Sequence, residues 1–315
     1  MSARNPWQAK VDAYVAERRR AGFKLSIAAI QLAGFARFAQ LNAPRSRLTL
    51  ELASRWALAG RHGARLTAAR RIEVLRGFAQ YCRQFDPATQ IPPRQLFGPA
   101  HRRLVPHIYT DAEIRALLDA AAKLSPRGGL RPANCATLFG LIAATGLRIS
   151  EATGLARADV DLEQGVLLVR NAKFGRDRFV PLHPSTVRAL RRYVKRRDRE
   201  PCSRASDAFF VDDRGRALAV DNIQYAFGRL RQELHWRARG GHPAPRIHDL
   251  RHRFICRRLQ RWYSQGKDIN QRILSLSTYV GHVKVTNTYW YVTSTPELMA
   301  AAVRRFQRQA DGGVR

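Results

Sequence analysis

Five prolines, Pro87, Pro92, Pro93, Pro99 and Pro106, fall within residues 85–108. Proline locks φ and has no N–H to donate, so neither a helix nor a central strand runs through such a stretch. The chain must therefore fold as two pieces, and its 315 residues are enough for about two domains. We assign 1–95 to an N-terminal helical domain, 96–108 to a linker and 109–315 to a second domain.

The first piece reads as four helices. Residues 7–20 place Trp7, Val11, Tyr14 and Val15 on one side; Arg18, Arg19 and Arg20 close the helix favourably at its C-terminus, and Gly22 ends it. Over 26–41, Ile27, Ile30, Leu32, Phe35, Phe38 and Leu41 fit an apolar face. Two more helices follow at 49–59 and 66–84, the latter keeping Leu75, Phe78, Ala79 and Cys82 at helical spacing. A generic bundle has the same pattern; the basic outer faces favour DNA binding over it.

In the second piece, Thr110 and Glu113 form a capping box for a helix over 111–123. Helices are expected at 131–145 and 149–155, then two strands at 166–170 and 178–182 joined by a turn around Gly175. Further helices fit 184–198, 219–235, 248–263 and 268–278, with a short extended segment at 209–211. The Asp212–Asp213 pair beside Arg214–Gly215 reads as a turn in preference to a metal site. A last helix, 296–307, starts after Thr295–Pro296 and carries Leu298, Met299, Val303 and Phe306. Docking on a neighbouring subunit and packing on its own domain both suit it. The expected class is mainly α with a small antiparallel β-sheet.

The formal net charge is +32, and only seven of the 56 basic residues are lysine. A bias toward arginine codons explains Arg over Lys, but not basic over acidic. Such an excess, spread along the chain, points to a polyanion. No helix sets its charge against a strongly apolar face, which disfavours a membrane surface. No apolar run approaches the roughly 20 residues needed to cross a bilayer, and the N-terminus lacks a signal-peptide stretch. The expected location is cytoplasmic, on the nucleoid. Cys82, Cys135, Cys202 and Cys256 are widely spaced with no CxxC pair, so neither zinc nor a disulfide framework is expected.

Three short runs and a tail carry candidate chemistry. In ATGLRISEATGL, residues 144–155, Arg148 follows a helix end, where a guanidinium can project and bind two phosphate oxygens; Glu151 can buttress it. Taken alone, Arg148 reads as an exposed arginine at a helix start. In KFGRDRFVPL, Lys173 sits at the hairpin turn. A solvated turn lysine is its default reading, although an ammonium, unlike a guanidinium, is able to donate a proton. In HDLRHRF, His248 and Arg251 share a helix face, putting an imidazole beside a fixed cation; His252 is read as pointing elsewhere, second to the site or facing DNA. Finally, YVGHVKVTNTYWYV places Tyr291 nine residues after His282, with Tyr289 as a neighbour. A tyrosine hydroxyl, with a pKa near 10, attacks well only where cations stabilise the charge that develops.

In this order and spacing Arg148, Lys173, His248, Arg251, His282 and Tyr291 resemble the tyrosine recombinase (phage integrase) family over about 109–310, with TGLRISEATGL, HDLRH and Gly281-His282 as its three boxes. The YWYV…TPELM tail resembles a branch carried by transposons and integrative elements. One departure is Ser264–Ser277, longer and more polar than the family pattern, which bears on helix boundaries and not on the site. The resemblance implies an N-terminal core-binding domain and a mixed α+β catalytic domain of the tyrosine recombinase / type IB topoisomerase type. It implies site-specific cutting and rejoining of double-stranded DNA through a 3′-phosphotyrosine. Arg148, Arg251 and His282 would hold the phosphate, Tyr291 attack it, Lys173 protonate the leaving 5′-oxygen, and His248 accept or steer the tyrosine proton. No cofactor, metal or ATP is implied. A homotetramer on DNA, or an assembly with related recombinases, is. The alternatives are a non-catalytic DNA-binding protein, against which the full six-residue set argues, and a topoisomerase-like enzyme, against which the separate bundle and the tail argue.

Overall fold

The computed structural model describes residues 5–44, 47–59, 65–101, 103–170 and 177–293, and in the tail 299, 300, 303 and 307. The chain separates into two compact units, Met1–Arg103 and Leu104–Arg315.

The first unit contains α1 (Pro6–Arg20), α2 (Ser26–Asn42), α3 (Leu50–Leu58) and α4 (Arg65–Arg83). The Asn5 side chain accepts from the Trp7 and Gln8 amides ahead of Pro6, and Thr49 caps α3 through the Leu52 amide; both satisfy donors that a helix start leaves open. Trp7, Phe35, Trp56 and Phe78 meet edge-on in the core with Val11, Leu32, Leu52, Ile72 and Leu75. On α2 the face differs from expectation. Ile27, Ile30 and Leu41 are exposed, and Leu32, Phe35, Ala36 and Ala39 are buried. The two alanines let the neighbouring helices approach closely, so the side with fewer large residues faces the core.

The proline-rich stretch is not strung out between the units. Ile91, Leu96 and Phe97 pack on the first unit's core. Gln90 donates its amide to the Leu48 carbonyl, and Arg70 donates to the Ala100 carbonyl. Residues 104–109 belong to the second unit, with His107 and Tyr109 buried there.

That unit contains α5 (Asp111–Ala122), α6 (Leu130–Thr145), α7 (Ile149–Thr153), α8 (Pro184–Arg197), α9 (Val220–Glu233), α10 (Ile247–Ser264), α11 (Ile269–Val280) and α12 (Thr286–Tyr289), the last running into a 3₁₀ turn, Trp290–Thr293. Thr110 and Glu113 form the capping box of α5. The sheet is antiparallel in the order β1 (Val160–Asp161), β2 (Val166–Val169), β3 (Arg178–Pro181). Leu167 pairs with Val180, and both are buried. At two residues, β1 is too short for alternation to mark it in the sequence. Residues 209–211 form no strand; isolated bridges join Ala156 to Ala208 and Val211 to Ala217.

Helix α6 is buried on most sides and packs against α5, α8 and α10. Its one buried amide side chain, Asn134, donates to the Val211 carbonyl and accepts from the Tyr193 hydroxyl, as a polar group in such a core must. Asp213 accepts from the Leu130 amide at the start of α6, and Asp212 accepts from the Arg214 and Arg216 amides, so the aspartate pair is structural. A second cluster joins α10 and α11 through Phe254, Ile255, Leu259, Ile273, Leu276 and Val280, and it includes Tyr291. Helices α10 and α11 meet within 264–277 by a turn at Gly266. Cys82, Cys135 and Cys256 are buried and Cys202 is exposed; all four are free thiols. Among the described residues no helix is long and apolar enough to cross a membrane. The helix expected over 296–307 falls largely outside the described residues; Met299 and Val303 within it are helical and exposed.

Candidate active site

Two left-handed glycines build the floor. Gly146 ends α6 at φ 69°, where a Cβ would come within 2.6 Å of the Phe254 ring. Gly281 ends α11 at φ 69°, where a Cβ would come within 2.7 Å of Arg178 Nη1. Any other residue would be strained at such φ and would push a neighbour away. Between the two helix ends lies Arg251 of α10, 1% exposed. It donates from Nη1 to the Gly146 carbonyl and from Nη2 to the Val280 carbonyl, both at 2.6 Å. Carbonyls at a helix C-terminus carry partial negative charge and lack intrahelical donors, so a buried cation is well placed there. Burial, and then repulsion from Arg148, lower the Arg251 pKa; a guanidinium nonetheless stays charged at neutral pH.

Arg148 leads into α7. Its amide donates to Glu151 Oε2 at 2.9 Å, its Nη1 to Glu151 Oε1 at 2.6 Å, and its Nη2 to the Gly281 carbonyl at 3.0 Å. From β3, Arg178 grips the same carboxylate, Nη2 to Oε2 at 2.8 Å and Nη1 to Oε1 at 3.2 Å, and donates from Nε to the Tyr279 carbonyl. Burial alone would raise the Glu151 pKa; the Arg178 hydrogen bond, the Arg148 amide and both positive charges outweigh it and hold it at about 2. The carboxylate thus stays ionised and fixes two arginines. In these contacts Arg148 and Arg251 each use two of five guanidinium N–H groups, which leaves donors for an incoming anion.

Three imidazoles and the tyrosine complete the cluster. His252 Nδ1 lies 2.5 Å from the Tyr291 hydroxyl. The His248 ring stands edge-on to His252 with centroids 4.7 Å apart. His282 Nδ1 lies 2.8 Å from the Thr288 hydroxyl, and its ring is stacked with that of Tyr291 at 6.2 Å. Tyr291 is 3% exposed, carried by the 3₁₀ turn after α12. Loss of hydration, then repulsion from His248, Arg246 and Arg251, takes the His252 pKa to about 2. The pKa of His248, an exposed residue, is likewise lowered by desolvation, then by Arg251 and Arg246. Both rings are therefore neutral at pH 7.

Of the residues expected from the sequence, Arg148, Glu151, His248, Arg251, His282 and Tyr291 converge here. Lys173 lies outside the described residues, as does the hairpin tip 171–176. Two residues were assigned too little. Placing His252 off the site was an error of helical geometry: it follows His248 by four, one turn along the same face. The sequence does not single out Arg178; nothing local marks it as the partner of Glu151, 27 residues earlier. Tyr289 donates to Asn270 at 3.2 Å and is 40% exposed, away from the imidazoles that surround Tyr291. Among the described residues no group of three or more His, Cys, Asp or Glu side chains is arranged to hold a metal ion.

Comparison with known proteins agrees with this arrangement. The phage integrase family matches residues 108–297. The chain is 40% identical over 304 residues to y4rB of Sinorhizobium fredii, whose name places it provisionally among integrases/recombinases; the match covers 95% of this chain and 96% of that protein. It is 28% identical to the tyrosine recombinase XerC of Chlamydia trachomatis serovar D over 73% of this chain and 67% of that one. Among solved structures, the XerH site-specific recombinase in a post-cleavage complex with difH superposes with a TM-score of 0.66 at 17% identity, covering 95% of this chain and 85% of that one. The Tn1549 transposon integrase bound to transposon right end DNA gives 0.65 at 19% identity, covering 95% and 99%; both share the fold. The chain belongs to the phage integrase family and is an enzyme of the tyrosine recombinase type.

Proposed function

We propose that this protein is a site-specific DNA recombinase that cuts and rejoins duplex DNA through a 3′-phosphotyrosine at Tyr291. The observation that carries this reading is the gathering of Arg148, Arg251, His248 and His282 into one cluster with the buried Tyr291, from segments up to 143 positions apart. The net charge of +32 suits a phosphate backbone, and affinity for duplex should fall steeply with salt.

In this reading Arg148, Arg251 and His282 stabilise the charge that builds on the non-bridging oxygens, and His248 accepts or steers the proton that Tyr291 gives up. Tyr291 Oη bonds to phosphorus, the bond to the 5′-oxygen breaks, and Lys173 supplies that oxygen with a proton. The phosphotyrosine conserves the phosphodiester bond energy, so rejoining needs neither ATP nor, with these cations, a metal. The Met1–Arg103 unit would clamp the duplex, and paired strand exchanges imply four protomers or a mixed assembly with related recombinases, on DNA in the cytoplasm.

The test is covalent capture from a pool of nicked duplexes with randomised cores, in excess EDTA. An SDS-stable adduct is expected from the wild type, absent from Tyr291→Phe and retained by Tyr289→Phe. No adduct, or one that depends on Tyr289 or on added magnesium, overturns the reading. Lys173→Ala should cleave the captured sequence on the order of a hundredfold more slowly and recover on a 5′-phosphorothiolate, whose thiolate leaves without an acid.

A further inference from the structure

We propose that Arg178 is a positioning residue, which occupies the Glu151 carboxylate so that Arg148 stays open to a phosphate. This rests on the reading of Arg148 as a phosphate ligand and adds the group that keeps it available.

An arginine and a glutamate three positions apart at a helix start can pair side by side, two guanidinium nitrogens on two carboxylate oxygens. Arg148 and Glu151 have that spacing, and so paired the arginine would turn its charge and its donors inward. They are held otherwise. Nη1 of Arg148 donates to Glu151 Oε1, and Nη2 turns to the Gly281 carbonyl. The side-by-side partner of the carboxylate is Arg178, Nη1 to Oε1 at 3.2 Å and Nη2 to Oε2 at 2.8 Å. Arg178 also steadies the second support. Its Nε donates to the Tyr279 carbonyl at 2.9 Å, and its guanidinium lies against the Gly281 backbone, where a Cβ would come within 2.7 Å of Nη1. The Tyr279 hydroxyl donates to the Pro181 carbonyl at the end of β3, so strand and helix end are joined from both sides. Both acceptors of the Arg148 guanidinium, Glu151 Oε1 and the Gly281 carbonyl, therefore rest on Arg178.

Arg178 is not itself placed to touch DNA. Its side chain is 8% exposed against 24% for Arg148, and all three of its nitrogens donate within the protein. Its charge still counts. Two guanidinium groups on one carboxylate leave one positive charge in excess for an anion. Against the burial of Glu151, the Arg178 hydrogen bond is the foremost of the groups that keep that carboxylate ionised. Without Arg178, Glu151 is free to close on Arg148 as a neutral pair, and low local polarity makes such a pair tight. A phosphate must then compete with the carboxylate for the arginine.

The test uses the full-length protein and a nicked duplex recovered by the capture described above, in single turnover at saturating protein. Arg178→Gln should form the adduct about a hundredfold more slowly, with duplex affinity changed by less than about threefold, because many other phosphate contacts carry it. Two readouts separate positioning from support of the fold. Adding Glu151→Gln to Arg178→Gln removes the competing charge and should restore the rate about tenfold, whereas two losses that only weaken the fold would add. A methylphosphonate at the scissile position lacks one negative charge, so the ratio of wild-type to Arg178→Gln rates should shrink about tenfold on it, as it should for Arg148→Ala. An Arg178→Gln rate within a few-fold of wild type, a double variant no faster than Arg178→Gln, or a deficit unchanged on the methylphosphonate would each overturn the proposal. Should Arg178→Gln not fold, Arg178→Lys takes its place, since an ammonium is a point charge that does not grip both oxygens. A wild-type rate there, or a deficit that the methylphosphonate leaves unchanged, overturns the proposal equally. If instead the wild type gives no Tyr291-dependent adduct, the underlying reading fails and takes this one with it.

Discussion

Arg251 and Tyr291 lie in the same part of the second unit, yet the chain holds them by different means. Arg251 sits on an 18-residue helix and is tied to backbone carbonyls at the ends of α6 and α11. Those carbonyls move only if whole helices move. Tyr291 follows a four-residue helix, and its hydroxyl meets a side chain, His252, whose hydrogen bond can be exchanged by a torsion. In the proposed reaction the seat for the anion would thus be part of the scaffold, while the attacking oxygen would rest on contacts that can be replaced. A reaction in which the phosphate stays put while one oxygen joins it and another departs benefits from that division.

If the division is real, damage to the floor should cost fold and chemistry together, and damage to the arm should cost chemistry alone. The largest effect is expected for Arg251→Ala. It leaves the Gly146 and Val280 carbonyls without their donor, at about 1–3 kcal/mol each, and should slow adduct formation about a thousandfold. Urea denaturation and single-turnover capture check both; inactivity at unchanged stability would reduce Arg251 to a ligand for the anion.

Acid should reach the floor through Glu151. Its folded pKa is depressed from 4.5 to about 2, so its contribution is fully present above pH 4.5 and is lost as pH falls toward 2. That contribution is on the order of 3 kcal/mol. Glu151→Gln should flatten the stability curve across this window and leave its shape above pH 5 unchanged. A wild-type curve already flat there would mean that the two arginines do not depend on the carboxylate.

Gly281→Ala should be milder. The left-handed φ costs about 1–2 kcal/mol, and the added carbon presses on Arg178. Because the Gly281 carbonyl also holds Arg148, a lower thermal midpoint should accompany a roughly tenfold slower adduct. The smallest effect is expected on the arm. Thr288→Val removes the hydroxyl beside His282 Nδ1 at nearly constant volume, which should slow adduct formation a few-fold, the equivalent of about 1 kcal/mol, with the thermal midpoint almost unmoved. A midpoint lowered as far as by Arg251→Ala would show that arm and floor unfold as one, and the comparison would break.

Much of this was legible before any coordinates. Helix positions follow from apolar spacing and caps, as at Thr110–Glu113, because these signals are local. The boxes around Arg148, His248–Arg251 and Gly281-His282-Tyr291 were readable from order and spacing. Expectation failed wherever a choice depended on residues distant in the chain. The 26–41 pattern contains apolar residues on two sides of a helix, and only packing against its neighbours decides that Phe35 is buried and Ile30 exposed. The prolines exclude a helix from 85–108, but they do not say that Ile91 and Phe97 fold back on the first unit's core.

The sequence by itself determined where most of the helices form and stop and which chemical groups are available, since helix period, capping and left-handed glycine positions are properties of a few adjacent residues. Tertiary structure alone decided that Arg178 shares Glu151 with Arg148 and that His252 faces the Tyr291 hydroxyl from 39 positions away. A hydrogen bond between side chains distant in sequence depends on the docking of whole elements, which no local pattern encodes.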